Sequence, residues 1–231
     1  MNEKWHVWRD GGRPPPVNMA VDELLLERSE FLQGRILLRI YGWDRPSISI
    51  GYSQKYGTVS AEGGYSIVRR PTGGGIVYHD RDLTYTVVVP ALHPLESLDR
   101  VESYHVFHRA VLRAMKVFGK QGNLADSPVS VSDRATMKCF VTPTKYDVVC
   151  ENRKMAGAAQ RRTRKGILHQ GSISLEVSGG DRNELSEELI KGFAVEFNVE
   201  FEDFIVPSVF LAEAGILSSA KFATDEWNKS K

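Results

Sequence analysis

Arg69-Arg70-Pro71-Thr72-Gly73-Gly74-Gly75 sets two cations beside a stretch of backbone with no Cβ atoms to hold a ligand away. Successive exposed N–H groups of this kind can meet a polar or anionic group closely. Ile76-Val77-Tyr78-His79 follows as an extended apolar run. The pair suits a ligand with a polar head and a greasy part lying along the main chain, and Val77 and His79 are candidates to line it. The same residues also describe a surface turn beside a solvated basic pair, so other blocks must decide.

Two such blocks exist. The first runs from Cys139-Phe140-Val141-Thr142-Pro143, through Tyr146-Asp147-Val148-Val149, to Arg153-Lys154-Met155-Ala156-Gly157-Ala158-Ala159-Gln160; the second is His169-Gln170-Gly171-Ser172-Ile173. Lys154 precedes small residues that leave open space on a sheet face, where an ammonium can meet a carbonyl oxygen or a phosphate. A solvated turn lysine has the same signature. A cysteine at a loop–strand junction near a cation can hold a lowered pKa and act as a nucleophile, which describes Cys139. Cys150 competes for that role. Its alternation with Val148 and Tyr146 on one strand face favours burial, and the residues alone leave the two cysteines open. The six histidines show no metal pattern, so no metal site is expected. His79 and His169 each flank a strand near the proposed pocket and could be ligand contacts or structural residues. Arg161, Arg162, Arg164 and Lys165 form either a solvated basic face or a docking patch for an acidic carrier protein.

These residues need a scaffold, and 231 residues are enough to bury a substantial core. Hydrophobic content of 42% and charged content of 26% are those of an ordinary globular protein. A net charge of +1 argues against bulk binding to nucleic acid or anionic membrane. Two cysteines point to free thiols in a reducing compartment. No window approaches the ~20 apolar residues of a membrane span, and the N-terminus lacks the apolar core of a signal peptide, so a cytoplasmic protein is expected.

Trp5 to Trp8 reads as a short strand closed by Asp10-Gly11-Gly12 and the Pro14-Pro15-Pro16 turn. Asn18 is placed to cap a helix, with Asp22 and Glu23 near its positive end and a stop near Gly34. Strand-like runs follow at Ile36 to Tyr41, Ile48 to Tyr52, Ile67 to Arg69, Ile76 to His79 and Thr84 to Val89. Asp99 can cap a long helix carrying Tyr104, Phe107, Val111, Met115 and Phe118 on one face and ending at Gly119. Residues 120 to 135 read as irregular. A second sheet-like stretch is expected at Tyr146 to Cys150, Lys154 to Arg161 and Ile167 to Leu175, then helices around Leu185 to Phe193 and Val209 to Leu217. With no linker in view, residues 1–231 read as one α+β domain with helices packed on an antiparallel or mixed sheet.

Taken together, Val17-Asn18-Met19-Ala20-Val21-Asp22-Glu23, Tyr41-Gly42-Trp43, the Arg69–Gly75 loop and Arg153-Lys154-Met155-Ala156-Gly157 resemble the lipoate–protein ligase/octanoyltransferase superfamily over nearly the whole chain. That resemblance implies a mixed, mostly antiparallel sheet flanked by helices, like the catalytic core of class II aminoacyl-tRNA synthetases and biotin protein ligases. It also implies that Arg70, Gly73, Gly74, Gly75, His79, Lys154 and Gly157 surround an acyl chain and its activated head; His169 and Gly171, from the His169–Ile173 block, are further substrate-binding candidates. Cys139-Phe140-Val141-Thr142-Pro143-Thr144-Lys145-Tyr146 is similar to the cysteine motif of the octanoyltransferases that modify glycine-cleavage H protein, as is the ending Lys221 to Asn228. This resemblance selects Cys139 over Cys150.

The implied reaction moves an octanoyl (or lipoyl) group from acyl carrier protein, through a thioester on Cys139, to a lysine of a lipoyl domain or H protein. Lys154 would stabilise the oxyanion, and no cofactor is expected. The alternative is an ATP- and Mg-dependent lipoate–protein ligase acting through an acyl-adenylate. Against it, this chain has Tyr146-Asp147 where ligases usually carry Asn-Asp, and it leaves no room for their accessory C-terminal domain.

Overall fold

A computed structural model of the protein describes residues 2–59, 63–126, 144–151, 153–178 and 181–231. Cys139, with its neighbours Phe140 to Pro143, lies outside them, as does most of the stretch expected to be irregular. Strands β1 (Glu3–Arg13) and β2 (Leu37–Trp43) flank helix α1 (Pro15–Glu27) in sequence. Three short strands follow, β3 (Ser47–Ile50), β4 (Ser66–Arg69) and β5 (Val77–His79), then the long β6 (Asp82–Pro90) and α2 (Arg100–Val117). β7 (Gly122–Leu124), β8 (Val148–Cys150), β9 (Arg153–Thr163) and β10 (Gly166–Ser174) lead to α3 (Leu175–Ser178) and α4 (Arg182–Phe197). β11 (Val199–Asp203), α5 (Ser208–Leu217) and α6 (Asp225–Asn228) complete the described elements.

Eight strands form one sheet in the order β11-β1-β2-β6-β10-β9-β8-β7, and β4-β3-β5 form a smaller one. β1 runs parallel to both β2 and β11; the other neighbours in the large sheet are antiparallel. The expected mixed, mostly antiparallel sheet with flanking helices is therefore present. The second sheet-like stretch forms the far half of the same sheet, because β10 pairs with β6 along its whole length. Period-2 alternation then splits β6. Leu83, Tyr85, Val87 and Val89 pack towards Phe107, Val111 and Phe193 of α2 and α4, while Val88 joins Leu168, Val21 and Leu25 on the α1 side.

The N-terminus departs from the sequence reading. β1 continues through Gly11 and Gly12, where its register against β2 shifts between Arg9 and Gly12. A bulge absorbs what looked like a turn. α1 begins with Pro15 at its first turn, where a missing N–H costs nothing. Asn18 is therefore inside the helix, not its cap. Its side-chain NH2 donates to the Gly42 carbonyl at 2.9 Å, and its oxygen accepts from Arg39 at 2.8 Å. Asp22 has no role at a helix end either. It is fully buried and accepts from Arg39 (2.6 Å), Tyr41 (2.9 Å), Thr86 (2.7 Å) and Gln170 (2.7 Å). α2 follows expectation: the Asp99 carboxylate accepts from the Glu102 N–H at 2.9 Å, and the Glu102 carboxylate accepts from the Asp99 N–H at 3.1 Å.

Candidate active site

The two arginines before the glycines do different work. Arg69 is fully buried and gives its guanidinium to backbone carbonyls of Gly51 (3.1 Å), Tyr52 (3.0 Å), Gln54 (2.6 Å) and Asn228 (2.7 Å). Desolvation pulls its pKa down. Arg69 is a structural clasp between the β3 end and α6. Arg70 instead lines a cavity. It donates to the carbonyl and hydroxyl of Ser49, each at 2.7 Å, and to the carbonyls of Gly73 and Gly75, each at 2.8 Å. The glycine loop thus wraps its oxygens around one guanidinium.

Close backbone approach explains the small residues here. A Cβ on Gly51 would sit 2.1 Å from the Gly74 carbonyl oxygen, and Gly74 itself holds φ at +85° in the left-handed region. Thr72 ties the loop to the sheet by donating to Gln170 at 2.5 Å, and Gln170 donates onward to Asp22.

Lys154 is not a solvated turn residue. Its ammonium forms a buried ion pair with Asp147 at 2.7 Å. Asp147 also accepts from the N–H (2.5 Å) and hydroxyl (2.9 Å) of Thr144, a residue of the cysteine motif. Gly157 makes room for this pair: a Cβ there would lie 2.4 Å from Lys154 Cε, 2.6 Å from Nζ and 3.0 Å from Asp147 Oδ1.

Arg70, Val77, His79, Gly157 and Gly171 all face one cavity of about 350 Å³, including the space at its open mouth. Gly171 contributes backbone alone, since a Cβ there would meet the Tyr85 ring at 2.2 Å. Apolar surface from Met19, Tyr41, Trp43 and Ala159 makes up much of the rest. His169 does not belong to this wall. It sits on the opposite face of β10, packed on Phe107 (4.8 Å between centroids), with Gln160 at 3.0 Å from Nδ1 and Tyr85 at 3.4 Å from Nε2. Burial pushes its pKa well below the ordinary value and keeps it neutral. One residue of alternation separates it from Gln170, which does face the cavity. Cys150 is buried in β8, as its alternation suggested.

The basic cluster is largely consumed by the fold. Arg161 pairs with Glu23 at 3.0 Å, and Arg162 donates to the Leu98 carbonyl (2.8 Å) and the Ser103 hydroxyl (2.7 Å). Arg164 and Lys165 stay exposed. Among the described residues no group of three or more metal-ligating side chains occurs, and no helix is long and apolar enough to cross a membrane. Residue types alone did not single out Ser49, Asp82, Asp147 or Gln170; their signal is a polar side chain inside a strand or turn otherwise built for burial.

Arg70 and Gly157 line the cavity, whereas Gly73 to Gly75 and Lys154 stand behind them, the glycines around the Arg70 guanidinium and the ammonium against Gly157. Residues 14–194 match the lipoyl protein ligase A/B catalytic domain. The chain belongs to that family. Octanoyltransferase LipM of Anoxybacillus flavithermus is 33% identical, with 98% of each chain covered. LipM of Staphylococcus aureus is 31% identical over 98% of this chain and 99% of its own. The fold is that of lipoate–protein ligase A bound with ATP (TM-score 0.80, 22% identity, 98% of each chain). It is also that of a chain from an archaeal lipoylation system described as a bi-partite lipoate protein ligase and its E2 lipoyl domain from Thermoplasma acidophilum (TM-score 0.79, 20% identity, 99% and 97% covered). The protein is an enzyme of the octanoyltransferase branch.

Proposed function

We propose that this enzyme carries an octanoyl group from acyl carrier protein, through a thioester on Cys139, to a lysine of a lipoyl-carrier protein such as glycine-cleavage H protein. The observation that carries the reading is the buried Lys154–Asp147 pair directly behind Gly157, which lines the apolar-walled cavity. Gly157, Ser172, Thr84 and Tyr41 lie side by side across four adjacent strands. Three strand spacings amount to about 14 Å. An extended eight-carbon chain, at ~1.5 Å per C–C bond, spans roughly 9 Å and fits within that row.

The chemistry divides into two steps. The Cys139 thiolate adds to the octanoyl thioester carbonyl, and the carrier thiol leaves. The acceptor amine then adds to the Cys139 thioester, the amide forms and the cysteine returns as a thiol. In both steps charge develops on the carbonyl oxygen, where a charged lysine is worth most. Held in its ion pair with Asp147, Lys154 serves as a fixed cation. Transfer between a thioester and an amine requires no nucleotide, cofactor or metal. The names of the LipM relatives support the octanoyl group as cargo. Arg164 and Lys165 are the exposed remnant of the basic cluster available to an acidic carrier.

Mixing the enzyme with octanoyl-acyl carrier protein in the absence of ATP should add one octanoyl mass, lost in Cys139→Ala and kept in Cys150→Ala. Should H protein be modified only with ATP, and equally by Cys139→Ala, the ligase chemistry replaces this one.

A further inference from the structure

Ser49, His79 and Asp82 form a hydrogen-bonded line in the wall of the same cavity. Ser49 Oγ stands 2.7 Å from His79 Nε2, and His79 Nδ1 stands 2.8 Å from Asp82 Oδ2. Asp82 sets the direction of the line. Its carboxylate only accepts, so the His79 ring proton that faces it is on Nδ1, and in that tautomer Nε2 accepts from the Ser49 hydroxyl. Arg70 Nη1 donates to Ser49 Oγ at 2.7 Å and holds the oxygen in place.

The base is held firmly. Trp43 stacks on His79 at 4.0 Å and 19°, and donates its indole N–H to Thr84 at 2.8 Å. Asp82 accepts from the hydroxyls of Thr84 (2.9 Å) and Ser172 (2.5 Å) besides His79. Burial alone would raise its pKa, but His79 and the hydroxyls keep it below the usual carboxylate range. Nucleophile, base and orienting carboxylate in hydrogen-bond sequence are the pattern of an activated serine, recognised by geometry rather than by order in the chain. Ser49, Arg70 and His79 all face the cavity.

We propose that Ser49 is a second acyl-accepting nucleophile, with His79 as its base and Asp82 as the orienting carboxylate, giving this enzyme a hydrolytic activity towards medium-chain acyl esters and thioesters. The proposal rests on the cavity's being an acyl site but not on Cys139. Ser49 Oγ bonds to the acyl carbon as its proton passes to His79 Nε2. The C–O or C–S bond of the substrate breaks, and the leaving group takes that proton. Water, deprotonated by His79, then cleaves the seryl ester, releasing the free acid and restoring the Ser49 hydroxyl.

The test uses p-nitrophenyl octanoate and a fluorophosphonate bearing an octyl chain, on the full-length Cys139→Ala enzyme, so that neither Cys139 nor a carrier protein takes part. We expect hydrolysis above the buffer rate that falls at least ~100-fold in Ser49→Ala, the scale of removing a triad member. We also expect a phosphonyl adduct mapped to Ser49 and slowed at least ~10-fold by Asp82→Asn. Because the adduct is read on protein with Ser49, His79 and Asp82 intact, a poorly folded variant does not obscure it. Absence of the adduct, its location on another residue, or equal hydrolysis by Ser49→Ala overturns the proposal. None of these results bears on the Cys139 thioester, and failure of that thioester leaves this test standing.

Discussion

The two faces of β6 and β10 are both buried, yet they are built from different materials. Towards α2 and α4 lie Tyr85, Val87, Ile167 and Ile173, packed in one cluster with Phe193 of α4 and held by area removed from water. His169 on that face is neutral and packed among rings. Towards α1 lie Thr84, Thr86, Gln170 and Ser172, whose hydrogen bonds end on Asp22 and Asp82. The first face tolerates some change of shape because its forces are non-directional. The second has carboxylates that lose their meaning if one donor moves, and this is the face that opens into the cavity. Directional bonds hold a ligand wall to a fraction of an ångström, which packing alone does not do.

Removing one anchor from each face gives the largest effect and the clearest way to break this contrast. Phe193→Ala and Asp22→Ala should each cost roughly 3–5 kcal/mol in urea unfolding, the first through a cavity and the second because buried Arg39 loses one of its two carboxylates and Tyr41, Thr86 and Gln170 lose their shared acceptor. Refilling the space separates them: Phe193→Leu should recover most of the loss, and Asp22→Leu little. Equal recovery would mean that the cavity face is held by packing after all. Gly157→Ala sharpens the contrast on the functional side. Its Cβ displaces the Lys154 ammonium, so octanoyl transfer should fall by about 100-fold or more while the urea midpoint moves little.

The helix face carries a pH signature. His169 and His108 both have pKa values lowered by burial. The unfolded chain therefore binds protons that the folded one refuses as pH drops below ~6.5, and stability should decline from there downward. His169→Phe should flatten that decline by up to one proton's worth, seen in urea midpoints between pH 7.5 and 5. The smallest effect is expected from Ser172→Ala, about 1 kcal/mol for one of three donors to Asp82. A loss several times larger would show that the carboxylate network acts as a unit.

Much of the site was legible where chemistry demands particular residue types. A triple glycine after two arginines, a lysine before Ala-Gly, and a cysteine motif in order along the chain pointed to an acyl-handling family without any coordinates. Helix α2 was legible as well, because its cap and its apolar period agree. Other features were not. Asn18 looks like a cap and Asp22 like a dipole partner; only the folded arrangement of α1 on β2 and β6 turns them into the hub of a buried network. Arg69 and Arg70 are the same residue type at adjacent positions. Arg69 closes β4 and turns into the carbonyls between the β3 end and α6, whereas Arg70, one residue past the strand, lines the cavity.

What the sequence by itself determined is the inventory: the helices and strands that follow from periodicity, the reactive types, and the family those motifs mark. Which histidine faces the cavity, which arginine braces the glycine loop, and that Lys154 is paired rather than solvated were decided by the tertiary structure. The reason is geometric. These roles depend on which residues from distant strands come within ~3 Å of one another, and a one-residue step along a strand, invisible in composition, reverses the face.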